Sequence, residues 1–394
     1  MSHSSTFARR RDLLKLATLF TTVGALAPLQ RLYAQTEVNA PVRIGYLPIT
    51  DATPLLVAHA NRLFEAEGLE VEKPVMLRSW SQLLEAFLSG QVNVVHLLSP
   101  MTVWARYGSQ APLNVVAWNH MSGSALTVAP HIQRIEDLGG QSVAIPFHYS
   151  IHNVVLQHLL RQAGLKPTLQ NRRLAPDEVH LVVMAPADMT PALAAKSIAG
   201  FTVAEPFNAQ AELLNVGKIL RFTGDVWRDH ACCVLTMHER DLQQRPEWSQ
   251  AVVNAIVKAQ HWAQDHRQET AALMANTGAN RYTPHDINTL NKVLAPSVAE
   301  QQQYIDQGII QHPEWQDQRI SFQPYPYPSY TEALIQQLQQ MQFDTMPAFL
   351  QELDPSFAAT DLVQDQFVKQ AIAQLGGLQA FGQPNSFERT EWIA

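Results

Sequence analysis

The stretch Val42-Arg43-Ile44-Gly45-Tyr46-Leu47 reads as a short apolar strand, and the pattern that follows it decides the fold. Leu55, Leu56, Leu63 and Phe64 supply one helical face over residues 54–67, and Gly68 stands where a left-handed helix cap belongs. Residues 69–77 read as a second strand, 81–89 as a helix closed by Gly90, and 92–98 as a strand apolar enough to be buried on both faces. A helix over 101–107 and a strand over 113–118 continue the alternation, which predicts a mostly parallel sheet with crossover helices.

A second α/β block begins after 124–129, with strands at 142–145, 179–184, 200–204 and 218–222 and helices at 150–163, 187–196 and 206–214. One more strand, 232–238, precedes a region that is mainly helical: 246–263, 284–293 and a late helix carrying Leu334, Leu338 and Met341. That region has no strand repeat of its own, so it must pack on a lobe already built. The order predicts an α/β protein of two lobes, 41–123 and 124–230, with 231–394 returning to the first lobe as a helical C-terminal region. Chain crossings near 122–128 and 231–235 form a two-strand hinge, and the crevice between such lobes is where small ligands bind. Pro324-Tyr325-Pro326-Tyr327-Pro328 reads as an extended connector.

At 394 residues the chain is long enough for two or three domains of about 150 residues. With 46% hydrophobic and 16% charged residues it belongs among globular chains and not disordered ones. The formal charge of −7 combines +4 on residues 1–34 with −11 on the remainder. A body so acidic, with no basic stripe, does not suit a nucleic-acid partner.

Arg10-Arg11-Asp12-Leu13-Leu14-Lys15, the apolar run from Leu16 to about Ala27, and Leu32-Tyr33-Ala34 have the order of an export signal, and the paired arginines resemble a twin-arginine one. The run is short for a membrane span. A soluble periplasmic protein starting near Gln35 is therefore expected. Cys232 and Cys233 are the only cysteines. Neighbours in a strand point to opposite faces, so no ordinary disulfide is expected, and they read first as packed strand residues, with a metal or redox role as the other reading.

Ligands of open α/β sheets lie beyond the carboxyl ends of the strands. In the first lobe those positions hold Thr50 and Asp51, Arg78 and Trp80, Ser99 and Thr102, and His120. In the second they hold His148, Tyr149, Ser150 and His152, then Asp188 and Glu205, with His230 before the return strand. Hydroxyls at helix N-termini suit a small oxyanion, whereas the carboxylates and imidazoles suit a cation. Other roles stay open. Asp188 and Glu205 also fit the first turns of helices, and His120 and His230 fit backbone hydrogen bonds at the hinge.

Gly45-Tyr46-Leu47-Pro48-Ile49, Glu65-Ala66-Glu67-Gly68-Leu69-Glu70-Val71, Leu88-Ser89-Gly90-Gln91-Val92-Asn93 and Ala204-Glu205-Pro206-Phe207 resemble the nitrate, sulfonate, taurine and bicarbonate solute-binding proteins of ATP-binding-cassette importers. The resemblance spans about residues 42–300 and also suits 365–372. It implies a type II periplasmic-binding-protein fold, a small-molecule solute, delivery to an ABC permease in the inner membrane, a monomer and no cofactor. Thr50-Asp51-Ala52-Thr53-Pro54 and Ser99-Pro100-Met101-Thr102 match cleft-lining positions of that family, but no residue matches its cleft lysine. Two alternatives keep the fold: a transition metal or metal-bound solute held by His148, His152, Glu205 and His230, or an enzyme like the related pyrimidine synthase, whose cysteine-rich segment only Cys232 and Cys233 could represent. The chain has no Gly-x-Ser-x-Gly elbow, no phosphate-binding glycine loop and no His-Glu-x-x-His motif.

Overall fold

The computed structural model of the protein describes residues 40–394 except 316–318. The expected export signal lies outside the described residues. None of the described helices is long and apolar enough to cross a membrane.

The first sheet contains β1 (Ile44–Tyr46), β2 (Val75–Met76), β3 (Val94–Leu98) and β4 (Leu113–Trp118). A short β5 (Met121–Ser122) leads into the second sheet, made of β6 (Ser124–Val128), β7 (Ser142–Ile145), β8 (Lys166–Thr168), β9 (Glu178–Val183), β10 (Gly200–Ala204) and β11 (Lys218–Phe222). The chain then returns through β12 (Cys233–His238), and β13 (Ile320–Ser321) comes much later.

The first sheet has the order β2-β1-β3-β12-β4, so the returning strand is inserted, antiparallel, between two strands made before the second lobe. All six β12 residues are buried, as expected for a central strand reading as a continuous apolar run. The second sheet runs β11-β6-β10-β7-β9-β8, with β6 antiparallel to both of its neighbours. The long helix Pro246–Asp265 starts with proline at its first position and buries Val252, Val253, Ile256, Ala259 and Ala263 along one face. It packs on the helix Thr53–Ala60 and on Gln366–Gln374.

Several elements differ from the expectation. The strand expected over 69–77 is reduced to Val75–Met76 and a bridge between Val42 and Val71. Proline 74, which has no N–H, interrupts the ladder between them. The helix expected over 54–67 is two, Thr53–Ala60 and Leu63–Ala66, broken where Arg62 takes a left-handed φ of 55°. The helix expected over 101–107 is Ser99–Val103, continued by a wide π turn over Trp104–Gly108.

The hinge has a third segment. Met121 bridges Ala231, and the Ser122 N–H donates to the His230 carbonyl at 2.9 Å, so the two crossings lie side by side. β13 pairs with β5 on the same ribbon. The C-terminal region is also not confined to the first lobe. Tyr304, the buried residue of the helix Val298–Asp306, and Ile310 pack with Ile219 and Phe222 of the second. Gln342 N–H donates to Gln157 Oε1 at 2.7 Å, a further contact with the second lobe.

Candidate functional site

The turn Thr50–Ala52 follows β1 after three residues and carries Asp51 to the junction of the lobes. Thr50 spans that junction, its N–H and its hydroxyl each donating to the Glu205 carbonyl at 3.0 Å. Asp51 is fully buried. Its Oδ2 lies 3.1 Å from His120 Nε2, 3.1 Å from Cys233 Sγ and 3.4 Å from Cys232 Sγ. Its backbone carbonyl accepts from the Asn119 amide. Gln260 holds this strand end in place by donating to the Trp118 and Asn119 carbonyls, each at 2.9 Å.

The second lobe adds His152 in the first turn of the helix Ile151–Gln162. Its Nε2 is 2.9 Å from Ser124 Oγ, at the start of β6, and 3.8 Å from Cys232 Sγ. One cluster therefore draws on a turn of the first lobe, both hinge crossings and a helix of the second lobe.

The reading of both cysteines as strand residues on opposite faces needs correction. Cys232 sits in a bend ahead of β12, and only Cys233 belongs to the strand. Away from the pleat the two thiols need not diverge, and both reach the same carboxylate oxygen. Ser99 N–H donates to the Cys232 carbonyl and Asn119 N–H to the Cys233 carbonyl, which fixes the bend between two strand ends.

The electrostatics are those of a sealed polar site. Burial raises Asp51; burial also works against the charged form of His120, but Asp51 and Cys232 together outweigh it and bring that imidazole up to about 10. The two behave as one pair that retains a proton at neutral pH. Burial works against the Cys232 thiolate, but the Cys233 thiol, His152 and His120 together push it well down, while burial pushes Cys233 well up. His96 falls to about 3 and His230 to about 4, both through burial. Asp51 Oδ1, Asn119 Oδ1, both nitrogens of His120, His152 Nδ1 and His230 Nε2 are buried without a hydrogen-bond partner.

Of the residues singled out in the sequence, the structure gathers Thr50, Asp51, His120 and His152 here. Ser150 caps the His152 helix, and Ser99 Oγ bonds the Ala231 carbonyl at 3.1 Å beside the cysteines. Trp80 is buried edge-on to His96, 5.5 Å between ring centroids. The others go elsewhere. Arg78 and Asp188 are exposed, Asp188 in the first turn of the helix Pro186–Ala194. Thr102 bonds back to the Ser99 carbonyl at 2.7 Å. Tyr149 stacks on Trp104 at 5.8 Å, with half-buried His148 beside it.

The four-residue metal set expected from His148, His152, Glu205 and His230 is not assembled. Glu205 Oε1 lies 3.3 Å from Arg319 Nε, and its Oε2 accepts the Ala209 N–H at 3.1 Å. His230 Nδ1 meets the Trp227 carbonyl at 2.9 Å. Among the described residues the grouping is instead Asp51, His120, Cys232 and Cys233, whose ligand atoms all lie within 4.8 Å of one another. Asn119 and Ser124 are not among the site residues expected from the sequence, and Cys232 and Cys233 carry a metal or redox role there only as the second reading. The position of the cysteine pair at the foot of the return strand, in a chain with no others, was the available signal.

The model of the NMT1-like family matches residues 35–279, more than half of the chain. The chain belongs to that family. It is 25% identical over 269 residues to the nitrate/nitrite binding protein NrtA of Nostoc sp. strain PCC 7120, an alignment covering 61% of this chain and 59% of that relative. The chain thus spans about three fifths of the relative's length. Among solved structures, the periplasmic nitrate-binding protein NrtA from Synechocystis PCC 6803 superposes with a TM-score of 0.71 at 18% identity, over 90% of this chain and 93% of that one. The ligand-binding component of an ABC-type import system from Staphylococcus aureus, with zinc bound, gives 0.64 at 23% identity, over 84% and 98%. The fold of the NMT1-like protein is that of the periplasmic binding proteins.

Proposed function

We propose that this protein is the non-enzymatic solute-binding component of an ABC importer. It works as a monomer in the periplasm, reached through the twin-arginine pathway. It captures a small nitrogen- or sulfur-containing solute of the nitrate, sulfonate, taurine and bicarbonate class between its lobes and delivers it to an inner-membrane permease. Family membership and fold support the role. The observation that carries it is the convergence of buried polar groups from both lobes and from the hinge at the carboxyl ends of the strands, several with no partner of their own. Buried polar atoms are costly unless bonded, so such a junction favours a polar guest.

Closure is the mechanism. Thr50 bonds Glu205 across the junction, and a solute touching both sides binds the closed form better, so it shifts the open and closed populations by that difference in affinity. Nitrate, taurine, other sulfonates, bicarbonate and pyrimidines are to be screened by thermal unfolding of ligand-stripped protein. A true solute at a hundred times its Kd adds about 2.7 kcal/mol to stability. A uniform absence of stabilisation across the nitrate, sulfonate and bicarbonate set sinks the solute class.

A further inference from the structure

We propose that Asp51, His120, Cys232 and Cys233 bind a single thiophilic transition-metal ion, with zinc as the best match. Two sulfurs, one imidazole nitrogen and one carboxylate oxygen form a donor set that zinc accepts and that calcium or magnesium does not. The fit is also geometric. In a tetrahedral site with bonds of about 2.0–2.3 Å, neighbouring ligand atoms sit roughly 3.3–3.8 Å apart. Asp51 Oδ2 stands 3.1 Å from His120 Nε2, 3.1 Å from Cys233 Sγ and 3.4 Å from Cys232 Sγ, and the four ligand atoms all lie within 4.8 Å of one another, so shifts of up to about 1 Å in the side chains bring them to that spacing.

Hydrogen bonds account for only part of this cluster: both thiols donate to Asp51 Oδ2. Oδ2 of Asp51 is crowded by three polar groups while Oδ1, equally buried, has none. His120 is fully buried, yet neither ring nitrogen makes a hydrogen bond of sound geometry, even with Nε2 only 3.1 Å from the carboxylate. The imidazole faces the carboxylate oxygen and lies beside both sulfurs, with Nε2 3.1 Å from that oxygen, which is where a ligand nitrogen would stand. Charge points the same way. Arg319, the buried guanidinium at the junction, is committed to Glu205 and to Glu212, the latter at 3.0 Å. A divalent cation would displace the proton that Asp51 and His120 share and those of the thiols, and would then offset the carboxylate and the sulfurs together. His152 Nε2, 3.8 Å from Cys232 Sγ, stands next to the four as an outer partner.

The inference rests on these side chains and does not require the oxyanion reading. Nor does it draw on the zinc of the staphylococcal structure, whose 23% identity speaks only to the fold. The full chain, reduced and stripped with chelator, is titrated with Co²⁺ and then Zn²⁺, with metal counted after dialysis. One ion per chain and a thiolate-to-cobalt charge-transfer band, displaced by zinc, are expected. Cys233→Ser and His120→Gln are expected to weaken zinc binding by more than about a hundredfold, beyond what loss of an outer partner produces. His131→Ala, at an exposed position, is expected to leave it unchanged. If a variant fails to fold by circular dichroism, the cobalt spectrum of the wild-type chain still decides. No charge-transfer band, or zinc retained by a folded Cys232→Ser/Cys233→Ser variant, overturns the site. Running the anion screen with and without zinc separates the two proposals: anion stabilisation without metal uptake rejects only the metal, and the reverse rejects only the solute class.

Discussion

His238 lies face to face with Phe87, 3.9 Å between ring centroids, and like His96 and His230 it is sealed from water. Burial lowers His238 and His230 to about 4 and His96 to about 3. An unfolded histidine takes up its proton near 6.5, so below that pH the unfolded chain binds more protons than the folded one. Stability supplied by these neutral imidazoles is therefore complete above about pH 6.5 and is lost as pH falls toward about 4. Each contributes a slope of up to about 1.4 kcal/mol per pH unit. Urea unfolding at pH 7, 6, 5 and 4.5 is expected to follow that fall, with a shallower slope in His238→Gln. An unfolding free energy flat across this range counts against the assignment. At the same scale, Thr50, Asp51, His120 and His152 were legible as site residues because each follows a strand end. The cysteines read first as packed strand residues, since whether neighbouring side chains diverge or converge depends on one bend of the backbone.

The helix Ile151–Gln162 owes its start to Ser150, whose Oγ accepts the Asn153 N–H at 3.1 Å and donates to the Phe147 carbonyl at 2.7 Å. Ser150→Ala leaves a helix N–H without its cap and is expected to cost about 1 kcal/mol, within a range of roughly 0.5–2. Because His152 rides on that first turn, the variant is also expected to weaken whatever the cluster binds. Denaturant melts and the titrations above check the two effects separately, and unchanged stability would deny Ser150 the capping role. At this scale the alternation of strands and helices was readable almost throughout, because buried strands and one-faced helices leave periodic apolar patterns. The failures came where local chemistry overrode the pattern, at the proline in 69–77 and at Arg62.

Across the whole molecule, Arg319 links the C-terminal region to the second lobe. Only 1% of its side chain is exposed, it pairs with Glu205 and Glu212, and its guanidinium lies over the rings of Phe222 and Tyr304, 5.1 and 5.4 Å from their centroids. Removing one partner of a buried ion pair strands the other, so Arg319→Met is expected to cost about 3–5 kcal/mol in chemical denaturation. Adding Glu205→Gln is expected to recover part of that loss by removing the stranded charge. A single-variant loss below about 1 kcal/mol would mean that the link matters little. The two-lobe architecture and the return strand were determined by the sequence alone, because the order of strands and helices limits how a sheet can be wound. Only the tertiary structure decided which strand-end residues meet. Arg78 and Asp188 turn to solvent, Glu205 goes to Arg319, and two adjacent thiols close on Asp51. The physical reason is that apolar periodicity is written locally along the chain, whereas the partner of a buried charge is chosen by how distant segments pack.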